Sequence, residues 1–69
     1  MTTQPFPASL HALYAKVVFL CEGRTGEEIE AMFDDHTLTK EAGEPRMWVL
    51  ICLVQATRNG SIARHARFA

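Results

Sequence analysis

The chain has 69 residues, 48% of them apolar, and a net charge of −1 from seven Lys/Arg against eight Asp/Glu. A chain this short buries only about 60% of its unfolded surface, so there is room for one domain and little depth for an enclosed cleft. The longest unbroken apolar run, Met47 to Val54, is eight residues, where a membrane span needs about 18 or more.

The charge is unevenly spread. Residues 1–44 carry Lys16, Arg24 and Lys40 against eight acids, net −5; residues 45–69 carry Arg46, Arg58, Arg64 and Arg67 and no acid, net +4. Such halves either compensate each other within the fold or present opposite surfaces to a partner. The start, MTTQPFPASLHALY, carries no Lys or Arg and no small-residue cleavage pattern, unlike a secretory signal. Cys21 and Cys52 lie in apolar runs, VVFLC and VLICLV, as buried free thiols do. A reducing, cytoplasmic setting is therefore expected.

In chain order, residues 1–8 hold two prolines and no apolar period, which predicts an extended N-terminal arm on a single domain spanning 1–69. A first helix is expected from Ser9, as N-cap, to Glu22, with Gly23 as its left-handed stop. Its core stripe is Leu10, Leu13, Tyr14, Val17 and Cys21; Val18, Phe19 and Leu20 flank it. A second helix, about 26–36, starts at Thr25-Gly26-Glu27-Glu28, a capping-box pattern. Ile29, Met32 and Phe33 form its apolar stripe, Glu27, Glu30 and Asp34 one outward face, Glu28 and Asp35 another.

Residues 36–44, HTLTKEAGE, read as a loop with room for a short helical turn. Pro45 suits the first position of a third helix running to Arg58 and stopped at Asn59-Gly60. Trp48, Ile51, Cys52 and Gln55 form one stripe, while Met47, Val49, Leu50, Leu53 and Val54 fill the other faces; a helix apolar all round is central. A hairpin competes, because WVLICLV is rich in β-branched residues and Asn-Gly is a strong two-residue turn signal. It would pair 47–57 with 61–68. IARHARFA does not alternate, however, and Ser61 would cap a short last helix. The fold expected is all-α, three helices with a short C-terminal fourth.

The chemistry-bearing residue types make no arrangement. Cys21, His36, Cys52 and His65 read C-x14-H-x15-C-x12-H, without the close pairing that lets two ligands share a turn. Gly23 to Gly26 complete no phosphate loop, and carboxylates on a helix surface keep ordinary acidity. No catalytic, metal or cofactor site is expected, and the chain reads as non-enzymatic. Its apolar surplus predicts a homodimer, with Val18, Phe19, Trp48 and Ile51 at the interface. Contact with another protein is expected through Glu27, Glu28, Glu30, Asp34 and Asp35 together with Arg64 and Arg67. The alternative is a small helix-turn-helix DNA-binding regulator with Arg58, Arg64 and Arg67 on phosphates, opposed by the preceding excess of five negative charges.

In length, in the TGEEIEAMFDD helix and in the RMWVLICLVQ segment, the chain resembles the quorum-sensing anti-activators of Pseudomonas phages, small early proteins that disable host regulators. The resemblance implies a helical homodimer that binds a LuxR-type activator in the host bacterial cytoplasm and blocks its DNA binding, with the ATPase that assembles type IV pili as a second partner. It assigns no role to any single residue.

Overall fold

The computed structural model describes residues 7–69. Four α-helices run through them, α1 His11–Cys21, α2 Gly26–Asp34, α3 Thr37–Ala42 and α4 Arg46–Asn59, with short 3-10 turns at Ala8–Leu10 and Ala66–Phe68. No strand forms among the described residues. The hairpin alternative fails because Asn-Gly serves equally well as a helix stop. Gly60 is left-handed at φ +74, and its N–H and that of Ser61 bond back to Thr57 O and Ala56 O, the paired closure of a Schellman motif. Ser61 thus terminates α4 and does not cap a further helix.

The core joins one face from each helix: Leu10, Leu13, Val17 and Cys21; Ile29 and Phe33; Leu38 and Ala42; Val49, Cys52, Leu53 and Ala56. The expected stripe of the first helix is therefore the buried one, with Tyr14 half-buried at its edge. α1 packs chiefly on α4, and α3 lies against α1, α2 and α4. The α1 start differs from expectation: Ser9 lies inside the first 3-10 turn, makes no capping hydrogen bond, and Ala8 belongs to that turn rather than to an arm. The remainder of the expected arm, residues 1–6, lies outside the described residues.

α2 begins as its sequence pattern requires. Thr25 N–H donates to Glu28 Oε1 at 2.8 Å, and Glu28 N–H donates to Thr25 Oγ1 at 3.1 Å, so two donors at the helix start satisfy each other's residue. It ends at Asp34, two residues early, because Asp35 accepts from Thr37 N–H at 2.9 Å and His36 turns left-handed at φ 68. That turn starts α3, a six-residue helix where a loop with room for a short helical turn was expected, and Leu38, completely buried, is what ties it down. Pro45 is the residue before α4, extended at ψ 147, so it caps the helix from outside instead of occupying its first position.

After Gly60 the chain crosses the start of α2. A Cβ on Gly26 would stand 2.5 Å from Arg64 O and 3.2 Å from His65 Cβ, so glycine permits the approach. Ile62 and Phe68 anchor this segment in the core, and Phe68 meets Phe33 edge-on with centroids 5.8 Å apart. The closing turn has His65 as its cap, whose Nδ1 accepts from Arg67 N–H at 3.1 Å.

Candidate functional site

The charged residues form a cluster where the C-terminal segment and α4 meet α2. Arg67 reaches Glu30 at 3.2 Å and Asp34 at 2.6 Å; Arg46 reaches Asp34 at 3.8 Å; His65 Nε2 lies 3.2 Å from Glu30. Arg46 also donates to Phe33 O at 2.9 Å and stacks 4.0 Å over the Phe33 ring. The acidic and basic halves of the chain thus compensate each other here. Pairing with Asp34 and then Glu30 holds the Arg67 guanidinium in its charged form.

Of the seven residues expected at a partner contact, five have intramolecular work. Glu30, Asp34 and Arg67 neutralise one another, Glu28 completes the α2 cap, and Asp35 caps the turn into α3. The hydrogen bond from Thr37 holds the Asp35 carboxyl below its usual range. Glu27 and Arg64 stay exposed and take no part in this network.

The apolar surface is concentrated elsewhere. Among the described residues five large apolar side chains are exposed: Phe19 at 74%, Met47 at 70%, Trp48 at 45%, Ile51 at 40% and Leu50 at 37%. Four of them belong to the first two turns of α4. The core side of that helix is Val49, Cys52, Leu53 and Ala56, and Met47, Leu50, Ile51 and half-buried Val54 line the side opposite. The helix expected to be central thus packs one face on the core and leaves the other at the surface. In so small a globule a central helix still keeps one face at the surface. Phe19 stands alone on α1, opposite that helix's core stripe, while Val18 is half-buried against the core. Of the residues expected at a dimer contact, Phe19, Trp48 and Ile51 are thus exposed and Val18 is half-buried; Met47 and Leu50 are exposed beside Trp48 and Ile51.

Two shallow clefts flank the α1–α4 pair. One, about 140 Å³, is lined by Leu10, Leu13, Lys16, Glu44 and Trp48; the other, about 220 Å³, by His11, Tyr14, Gln55 and Asn59. In the second, Asn59 Nδ2 donates to Tyr14 Oη at 3.0 Å, and Gln55 Nε2 donates to Asn59 Oδ1 at 3.1 Å. Tyr14 Oη also lies 3.0 Å from Ser61 Oγ. This chain pins the end of α4 to α1. Both cysteines are buried free thiols; burial, only slightly offset by Arg24, pushes Cys21 up to about 11. Among the described residues no three His, Cys, Asp or Glu side chains converge as a metal site, and no helix is long and apolar enough to cross a membrane.

No family model, curated protein or solved structure matches this chain.

Proposed function

We propose that this chain is a non-enzymatic protein-binding module that acts by stoichiometric contact through the outward face of α4. The single observation behind the reading is the clustering of Met47, Trp48, Leu50 and Ile51, all 37% exposed or more, on two turns of one rigid helix. Contiguous exposed apolar groups on a small protein mark contact surfaces, and a few such anchors supply most of the affinity in an interface. The charged cluster supports it less, because Glu30, Asp34 and Arg67 are already paired. Electrostatic guidance then falls to Glu27 and Arg64, which tune encounter more than affinity.

The partner class comes from the resemblance to phage anti-activators: a bacterial transcriptional regulator of the LuxR type, whose release from DNA would be the inhibitory act, with the pilus assembly ATPase as a second target. A purified LuxR-type activator bound to its operator fragment provides the test. Adding this chain should free the DNA at near one-to-one stoichiometry, and Ile51→Glu should abolish the effect while Glu27→Lys weakens it by less than about tenfold. Retention of the DNA by the chain alone at low salt, lost on Arg64→Glu, would instead establish the helix-turn-helix alternative.

A further inference from the structure

We propose that the cleft between the start of α1 and the start of α4 binds a free aliphatic α-amino acid, Glu44 taking its ammonium group and Lys16 its carboxylate. The cleft touches the outward face of α4 through Trp48, but the proposal stands on the cleft's own residues and does not depend on what that face binds.

The floor and the rim of the cleft differ in chemistry. Leu10, Leu13 and Ala42 line it and are each 7% exposed or less, so they form an apolar floor, with half-exposed Trp48 as a wall. Exposed Lys16 and half-buried Glu44 stand on the rim. They carry opposite charges on one cleft, yet neither takes part in an ion pair or side-chain hydrogen bond among the described residues. The cluster at α2 behaves differently: there Arg46 and Arg67 hold Asp34, and Arg67 and His65 hold Glu30.

A half-buried carboxylate without a partner has lost part of its hydration and gained nothing in return. A ligand that carries an ammonium and a carboxylate side by side supplies Glu44 and Lys16 with one charge-assisted hydrogen bond each. Lys16 has the reach for this, because its ammonium sits on a flexible four-carbon stem.

Size and charge layout narrow the ligand. The cleft's volume of about 140 Å³ lies below the roughly 300–1,000 Å³ of pockets that take drug-sized ligands, so the occupant is a small molecule or a single side chain. An ammonium and a carboxylate borne by one carbon belong to a free α-amino acid; inside a polypeptide both are tied up in amides. The apolar floor asks for an aliphatic side chain such as that of leucine. A shallow cleft leaves part of the ligand in water, so a Kd on the order of 1 mM is expected.

Trp48 is the chain's one tryptophan, so its emission reports on the cleft directly. Leucine added to the full chain at constant ionic strength, up to about 50 mM, should change that emission along a saturable curve with a Kd on the order of 1 mM. Leucinamide, which lacks the carboxylate, and isocaproate, which lacks the ammonium, should each bind about five- to twentyfold more weakly. Lys16→Met should weaken leucine about three- to tenfold without weakening leucinamide, and Glu44→Gln should weaken leucine without weakening isocaproate. Circular dichroism checks that each variant keeps its helices, and the ligand series on the unaltered chain remains informative if one does not. No saturable change with leucine, equal binding of leucinamide or isocaproate, or leucine binding indifferent to both substitutions would each overturn the inference. N-acetyl-leucinamide, whose two ends are amides as in a protein, should not bind; binding as tight as that of leucine would overturn the inference and give the cleft to a partner's side chain. None of these measurements contains a regulator, so their failure leaves the reading of the α4 face untouched.

Discussion

At the scale of single residues, local geometry makes sharp demands. Thr25 and Glu28 each satisfy the other's backbone N–H, so Thr25→Ala should lower stability by about 1 kcal/mol in urea denaturation. One residue on, Gly26 has Arg64 O where a Cβ would stand, at 2.5 Å. Gly26→Ala must push the C-terminal segment away, and a loss of about 1–3 kcal/mol is expected despite the better helix propensity of alanine. The Cys21 thiol supplies a pH signature. Burial raises it from an ordinary 9.0 to about 11, so the unfolded chain loses its proton first and the native state holds more protons between those values. Stability should therefore be fully present below pH 9 and decline as pH rises toward 11. The same burial predicts that neither Cys21 nor Cys52 reacts with a thiol reagent at pH 8 until the chain unfolds; rapid labelling of the folded protein would contradict it.

At the scale of elements, the C-terminal segment depends on its anchors more than on its ion pairs. Phe68 is 1% exposed and packs edge-on against Phe33. Phe68→Ala should cost about 3–5 kcal/mol, enough to unfold much of a domain this small, as measured by thermal denaturation. Arg67 bonds Glu30 and Asp34 in partly exposed positions, where solvent screens ion pairs and they contribute little. Arg67→Ala should be the milder change, and its effect should shrink further in 1 M salt. α3 makes the same point: its six residues are few for an independent helix, and buried Leu38 gives it a reason to persist.

At the scale of the whole molecule, the domain spends its apolar residues on two jobs. Among the described residues fourteen of them form a core drawn from every helix, and the surplus on α4 remains outside. Substituting Met47 or Leu50 by serine is accordingly expected to change folding stability by less than about 0.5 kcal/mol while weakening any contact that uses the face.

The amino-acid sequence by itself determined the helical class, the start of α2, the stop at Gly60 and the core stripe of α1, because capping and helical periodicity act within a few residues. It also contained both halves of the charge balance, since −5 and +4 are countable. Only the tertiary structure decided how those charges are used. Glu30, Asp34 and Arg67 look like a surface for a partner until the chain turns back across Gly26 and places Arg67 between the two carboxylates. In the same way, no local pattern distinguishes the inner from the outer face of α4, which is apolar on both sides. That choice came from how α1 and α3 pack against the helix: a globule of this size can cover one side of it and has too few other residues to cover the second.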